Sequence, residues 1–596
     1  MYLTKSDVLE TKKCITKLYY KKNNYPKKDT DEAFMQQLAE AGHYVKEIAR
    51  VKYSGIKIDN TYLETALTLT QNFLQESEDI VLFDAVFRIG KRLVTVDMVN
   101  KIGNTLHVHE ITSRVFTGKN PEFYNKNGTV KAEHSDLFEG LWFMYDVVQK
   151  CNPKALCYAY VTYLDREKTN YYEDLHMDFQ TEEIIEEDQR KRFIAHFTGD
   201  PELLRDNYLL ETCDVTVKIE EMSKTMETKC KELEEYIEDK KCNKPEPTIG
   251  RNCFGCEYRV KNEKSGFAEC WKEMAEAKNH IMDLYSPTMQ KVDGEYALDL
   301  MIKENKNEMS DWLELNLSEG ETKKRQTIQI ENTLSNREYF GSSMRQTLEN
   351  LSFPLHFVDF ETCARPIPYH SGHKPYQMIG FQWSMHTLHE DGRLEHSYFI
   401  NEEPNDPNDR FLISLAEKLT EHGTFLMWHH HESTVLKMLL NSLGSYVEKN
   451  WVWKDENNTK TYEKIKRILE SGMVDMNKIT KYDYFHPMMG SKTSIKKVLP
   501  AVWQTSKHLD EDVHVKELRE KNVLDPYAAL EGDNETLKSG TDAIVYYDEM
   551  LCAMKRGDQK RVNEIKEMLL KYCHLDTLAM YIIYTHWKKS LEVVEV

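Results

Sequence analysis

The chain has 596 residues, 40% of them hydrophobic and 30% charged, with a formal net charge of −20. That balance excludes a largely disordered chain. No stretch approaches the ~20 apolar residues of a membrane-spanning helix, and the opening MYLTKSDVLETKKC lacks the apolar core and cleavage site of a secretory signal, so a cytoplasmic protein of about two to four domains with no membrane partner is expected.

In chain order, residues 11–28 interleave lysines with Tyr19, Tyr20 and Tyr25. Such a run either tracks phosphates and stacks bases or forms an amphipathic first helix with a solvated lysine face. The β-branched and apolar runs 81–87, 93–99 and 105–111 read as consecutive strands, the last two joined by the turn signal KIGN. A helical pattern over 136–150 and a strand over 155–164 complete an α/β core. Glu/Lys pairs over 216–241 predict an exposed helix, and a cysteine-bearing segment follows. Residues 281–350 read as a helical, polar connector. Strand-like runs LHFVDFE, QMIGFQWSMHT and HSYFI then open a second α/β region, with helices expected near 410–422 and 433–448 and a closing helix over 561–587. The expected division is therefore 1–280, 281–350 and 351–596. An acidic surface repels nucleic acid, so such a partner needs a local basic patch or a metal-filled cleft.

Strand alternation puts Asp359 and Glu361 of HFVDFET on one face. Two adjacent carboxylates repel each other unless a cation lies between them, and a divalent metal is the usual one. Tyr572 and Asp576, four apart on the closing helix, share a helical face. GTFLMWHHHEST offers Glu432 at the end of a strand-like run, with Asp475 as a competing acid. Asp359, Glu361, Glu432 and Asp576 are enough carboxylates for two Mg²⁺ or Mn²⁺ ions acting on a phosphodiester, with Tyr572 orienting the attacking water. On a strand, at most two of His429, His430 and His431 could share a zinc ion, and a flanking or solvent-facing role is expected instead. Lys492, Lys496 and Lys497 of GSKTSIKK either hold a substrate backbone or form a solvated loop.

The order D-x-E, middle acid, Y-x-x-x-D resembles the DEDD (DnaQ-like) 3′–5′ exonucleases of ribonuclease H-like fold. Residues about 320–585 resemble a bacterial family with that fold through FVDFET (357–362), IPYHSGHKPYQMIGFQWSMH (367–386), GSKTSIKKVLPA (490–501) and YCHLDT (572–577). The resemblance implies hydrolysis from the 3′ end of a DNA or RNA strand. In the middle motif this chain has Glu432 where that pattern has Asp, and His429 where it often has Asn.

Cys253, Cys256 and Cys270 follow C-x2-C-x13-C, which brings three thiolates towards one metal or cluster. Cys14, beside lysines that favour thiolate, or the nearer Cys242 would supply the fourth. A cysteine near the start with three more at the end of an α/β domain resembles the RecB-like iron–sulfur nucleases of the PD-(D/E)XK superfamily. That resemblance implies a [4Fe–4S] cluster on Cys14, Cys253, Cys256 and Cys270 that ties the first helix to the domain's end; zinc is the alternative. It also implies metal-binding acids at Asp97 and Glu110, on neighbouring strands. Three departures weaken that second site. Thr112 replaces the lysine of E-x-K, Lys46 stands where a histidine is expected with His43 one turn away, and the helical Q-x-x-x-Y becomes Leu141 and Tyr145.

The sequence therefore predicts a metal-dependent nuclease acting on a single-stranded end through the C-terminal acids, with an N-terminal domain that is degenerate or binds nucleic acid. The alternatives are a non-catalytic, cluster-bearing scaffold and a nuclease site in the N-terminal domain.

Overall fold

The computed structural model describes residues 2–28, 32–185, 191–206, 209–238, 244–261, 264–420, 422–447, 450–521, 523–527, 537 and 539–593. It is mixed α/β and divides into two compact units. Unit 1 comprises Met1–Thr248, Cys256–Cys270 and Ala364–Gln377, and unit 2 comprises Ile249–Gly255, Trp271–Cys363 and Met378–Val596. Residues 281–350, read above as a connector, cluster with unit 2, and Cys253 falls in a different unit from Cys256. Among the described residues, no helix is long and apolar enough to cross a membrane.

Unit 1 opens with two short helices, α1 (Lys5–Glu10) and α2 (Thr16–Lys22), then the long α3 (Glu32–Lys52). A six-stranded sheet follows in the order β1-β2-β3-β4-β5-β8. Its strands are β1 (Ile56–Lys57), β2 (Asp79–Ile89), β3 (Arg92–Ile102), β4 (Thr105–Phe116), β5 (Leu156–Asp165) and β8 (Leu210–Asp214); β6 (Phe179–Ile185) and β7 (Lys191–Phe197) form a separate antiparallel pair. β2, β3 and β4 run antiparallel, and β5 is parallel to β4. A parallel pair needs a crossover, here the helix α5 (Ser135–Cys151). α5, which follows α4 (Leu63–Glu76) in chain order, is an apolar helix. It buries Phe138, Leu141, Trp142, Tyr145 and Val148 in one cluster with Val96, Val108 and Val161 of the sheet. Each such side chain contributes about 1.5–3 kcal/mol by leaving water. The helix expected to be exposed, α6 (Thr216–Glu238), instead buries one face, with Ile219, Met226, Cys230 and Leu233 in that cluster. The segment 364–377 completes this unit: Gly372 N–H donates to the Asn170 carbonyl, Asn170 N–H to the His373 carbonyl, and the Tyr376 hydroxyl to the Ser113 carbonyl, each at 2.8 Å.

In unit 2, α7 (Glu321–Ser335) precedes a five-stranded sheet. Its strands are β9 (Leu355–Cys363), β10 (Ile379–Leu388), β11 (Leu394–Ile400), β12 (Thr424–Met427) and β13 (Val474–Asp475), in the order β11-β10-β9-β12-β13. β9, β10 and β11 are antiparallel, whereas β12 and β13 run parallel to β9. Five helices matter for the site: α8 (Asn408–Lys418), α9 (His431–Ser442), α10 (Met476–Asp483), α11 (Ile495–Thr505) and, after α12 (Gly540–Arg556), the 35-residue α13 (Gln559–Val593). Strand alternation sorts the sheet's two faces. Leu355 and Phe357 share a cluster with Val498, Leu499, Leu575 and Ala579 of α11 and α13. Val358, Phe360, Trp383 and Met385 share another with Phe411 of α8 and Leu439 of α9.

Two local expectations are corrected. The helix expected over 433–448 ends at Ser442, because Gly444 and the β-branched and aromatic residues around it form a strand (Gly444–Val447) paired with Asn450–Trp453. Glu432 and the three histidines do not end a strand. β12 stops at Met427, a turn follows in which His429 has φ +98°, and Glu432 lies in the first turn of α9.

Candidate metal and cysteine sites

Asp359 and Glu361 project from β9 on the face covered by α13. The small Ser384 and the amide Gln382 pair opposite them on β10. α13 supplies Tyr572, Cys573 and Asp576, and α9 supplies Glu432. The Cys573 thiol donates to Asp359 Oδ2 at 3.4 Å, and Asp359, Glu361 and Cys573 each place one ligand atom within 4.8 Å of the others. Glu361, Glu432, Tyr572 and Asp576 are all buried.

The electrostatics record this convergence. Burial pushes Asp359 well above the usual carboxylate range, and Asp576, Glu361 and Glu432 push it further. Glu361 is raised by burial and by Asp576, with partial relief from Lys496. Burial, helped by Asp475 and Asp576, raises Glu432 to about 8. Burial also raises Asp576, to about 6, although a hydrogen bond from Tyr527 and the charge of Lys496 work the other way. Moreover, Glu432 Oε2 is buried without a hydrogen-bond partner. A buried carboxylate oxygen is costly unless something satisfies it.

The structure thus places Asp359 and Glu361 side by side and the other three residues singled out for the C-terminal site, Glu432, Tyr572 and Asp576, within electrostatic reach of them. Asp475 stands behind Glu432: its Oδ1 caps α10 through Lys478 N–H at 3.0 Å and accepts His429 N–H at 3.1 Å. Three further groups complete the cluster. The Tyr527 hydroxyl donates to Asp576 Oδ1 at 2.5 Å, and Lys496 Nζ donates to the Tyr572 hydroxyl oxygen at 2.9 Å. Burial and the nearby acids keep Tyr572 protonated. Cys573 was visible as the residue three before Asp576, on the same helical face; Tyr527 lies outside any periodic segment.

Hard carboxylate oxygens suit Mg²⁺ or Mn²⁺. The orphaned oxygen of Glu432 and the mutual repulsion of four acids fit a divalent pair, with Asp359, Glu361, Glu432 and Asp576 as the ligands.

In unit 1, Asp97 and Glu110 lie on the adjacent strands β3 and β4, as expected. Each already has a cation. Lys46 Nζ is 2.5 Å from Asp97 Oδ1, and Lys5 Nζ is 2.5 Å from Glu110 Oε2. Asp97 Oδ2 also accepts Ile111 N–H at 2.9 Å. Although burial works against it, Lys46 and Lys5 hold Asp97 below the usual carboxylate range, whereas burial raises Glu110. These acids therefore do not need a metal for charge balance. Beside them, His43, Lys46, Arg50, Lys57 and Asp84 line a cavity of about 320 Å³. Asp84 has φ +52°, at a point where the β2–β3 pairing lapses without a change of register. Tyr145 donates to Glu220 and Leu141 is core.

Among the described residues, eleven cysteines form no disulfide; Cys242 lies outside them. Cys14, between α1 and α2, shares unit 1 with Cys256 and Cys270. The Cys270 thiol is raised by burial and by the charges of Cys14 and Cys256, and it bonds the Tyr20 hydroxyl at 3.0 Å. Cys14 and Cys256 are thus within electrostatic reach of Cys270. Gly255, at φ +75°, turns the C-x2-C segment back on itself, a conformation that favours glycine. Cys253 lies in a short turn, Arg251–Cys253, of unit 2.

The lysine–tyrosine run is engaged within the fold. Tyr20 is buried and donates to the Gly266 carbonyl, Tyr25 donates to Glu269, and Lys17 and Lys21 pair with Glu257 and Asp7. Tyr20 is thus not a stacking platform for bases, because its ring packs against Tyr258.

A family described as a domain of unknown function (DUF2779) matches residues 356–494. The match spans Asp359, Glu361, Glu432 and Asp475, and stops before Lys496 and the acids of α13. Comparisons with curated proteins and with solved structures find no match.

Proposed function

We propose that unit 2 is a metal-dependent nuclease of DEDD type, a 3′–5′ exonuclease acting on a single-stranded DNA or RNA end. The observation that carries this reading is charge imbalance. Three buried carboxylates and the half-buried Asp359 act on one another, and among the described residues Lys496 is a cation acting on Glu361 and Asp576. In unit 1, by contrast, Asp97 and Glu110 each have a lysine. The strand order, with three antiparallel strands followed by two parallel to the first, also supports a ribonuclease H-like fold.

Two Mg²⁺ or Mn²⁺ ions held by Asp359, Glu361, Glu432 and Asp576 would activate water and neutralise charge on the phosphate. The chain's own groups do the rest. Tyr572, kept protonated, donates its hydroxyl hydrogen to orient the attacking water while its oxygen accepts from Lys496. Lys496 offsets part of the negative charge at the site. Tyr527 holds Asp576 ionised and fixed in orientation.

Unit 1 is proposed as a RecB-like, PD-(D/E)XK domain, and a [4Fe–4S] cluster is proposed on the chain's Cys14, Cys253, Cys256 and Cys270, zinc being the alternative. The helix, three antiparallel strands, helix and parallel strand support that fold. One observation favours a second reading, in which unit 1 hydrolyses: Lys46 and Lys5 place ammonium groups beside the two acids, supplying from elsewhere the lysine that Thr112 lacks.

The test uses the full chain with 3′- and 5′-labelled single strands of DNA and RNA, in Mn²⁺ and in chelator. Metal-dependent digestion abolished in Asp359→Ala and kept in Glu110→Ala is the expected result. The opposite pattern moves the chemistry to unit 1. Absence of digestion on every polymer supports a non-catalytic scaffold.

A further inference from the structure

Three histidines that no sequence motif joins meet beside α13. His386 and His396 are directly paired on β10 and β11, and His574 reaches them from α13. Their ring centroids are 4.6, 4.7 and 4.4 Å apart, and one nitrogen of each lies within 4.8 Å of one nitrogen of the others. Imidazole nitrogens at such spacing can close on one borderline-soft ion, which carboxylate sites do not favour.

The surrounding hydrogen bonds supply an independent argument. A ring that ligates a metal through one nitrogen usually anchors the other on a polar partner. His386 Nδ1 lies 2.8 Å from Thr577 Oγ1, and His396 Nε2 lies 2.9 Å from Ser384 Oγ. Ser384 Oγ is 3.0 Å from Thr577 Oγ1, which is 3.1 Å from the His574 carbonyl. These contacts form one consistent relay. His386 Nδ1–H donates to Thr577, His396 Nε2–H donates to Ser384, the Ser384 hydroxyl donates to Thr577, and the Thr577 hydroxyl donates to the carbonyl. That assignment leaves His386 Nε2 and His396 Nδ1 with lone pairs. Burial and the neighbouring rings also hold His386 well below its ordinary value, so that ring is neutral near pH 7.

We infer that His386, His396 and His574 bind one divalent transition-metal ion of the zinc type, separate from the carboxylate cluster. On α13, His574 and Thr577 face this site, whereas Tyr572, Cys573 and Asp576 face the acids. The ion would pin the helix that carries Asp576 to β10 and β11. Three imidazoles leave a fourth position to water or an anion.

The experiment measures zinc content and zinc affinity, by competition with a chromophoric chelator, on full-length protein made without a polyhistidine tag. His396 is exposed, so His396→Ala leaves the core intact, as circular dichroism would verify. The expected result is that His396→Ala loses one zinc equivalent, or binds it at least tenfold more weakly, while Asp359→Asn and Cys256→Ser retain it. His396→Cys should keep the ion and add one sulfur to the zinc X-ray absorption spectrum. The inference is overturned if His396→Ala binds as many ions as tightly as the wild type, if combining His396→Ala with Asp359→Asn or with Cys256→Ser loses no more zinc than that second change alone, or if His396→Cys adds no sulfur.

Discussion

Replacing Glu432 by glutamine should stabilise the metal-free protein while removing its response to metal. Glu432 is 3% exposed, its Oε2 has no hydrogen-bond partner, and burial with Asp475 and Asp576 raises it to about 8 from 4.5. A carboxyl raised in the folded state contributes stability below its unfolded value and loses it as pH rises through its folded value. The loss therefore runs from about pH 4.5 to about pH 8. At ~1.4 kcal/mol per pH unit, this group alone costs the fold about 3 kcal/mol at pH 7. The four acids titrate together, so part of that cost is shared. Thermal denaturation in EDTA at pH 5 and pH 8, with and without Mn²⁺, reads both effects. Glu432→Gln should be near wild type at pH 5 and more stable by about 2–3 kcal/mol at pH 8. Saturating Mn²⁺ at a hundredfold over Kd should add about 2.7 kcal/mol to the wild type and much less to the variant. A variant less stable than wild type at pH 8 in EDTA, or equally stabilised by Mn²⁺, would refute the reasoning.

Other consequences follow from single contacts. Lys46→Met leaves Asp97 buried without its cation. Breaking such a pair costs about 3–5 kcal/mol when fully buried, reduced here to about 2 because the lysine side chain is a third exposed; an unchanged thermal transition would contradict it. Tyr527→Phe removes the donor to Asp576, so that acid's value should rise above about 6 and any metal-dependent activity should shift its acid limb to higher pH; an unmoved profile would count against that role. Cys256→Ser should abolish a broad absorbance near ~400 nm in anaerobically purified protein if the thiolates hold iron–sulfur, and a colourless, zinc-containing wild type would decide for zinc.

Local periodicity made part of this molecule readable. Alternating apolar residues marked β2, β3, β4 and β9, and the spacing of two placed Asp359 and Glu361 on one face. The spacing of four did the same for Tyr572 and Asp576 on α13. What stayed hidden depends on distant partners or ambiguous short runs. FLMW followed by three histidines reads as a strand reaching Glu432, yet the strand closes at Met427 and the acid begins a helix. Nothing local pairs Lys5 with Glu110, 105 residues away, or Tyr527 with Asp576, 49 away. The adjacent histidines 429–431 drew notice as a possible metal site, whereas the cluster of His386, His396 and His574 is assembled only by strand pairing and helix packing. The lysine–tyrosine run read equally well as a nucleic-acid surface, because composition does not reveal that Tyr20 is buried or that Lys17 and Lys21 have acidic partners.

The central claim is that the acids of β9, α9 and α13 hold a pair of divalent ions. Anomalous diffraction from crystals of the full chain soaked in Mn²⁺ tests it most directly. The account predicts two manganese peaks within ligand distance of Asp359, Glu361, Glu432 and Asp576, both lost in Asp359→Asn. Manganese at Asp97 and Glu110 with none among these four carboxylates would contradict it.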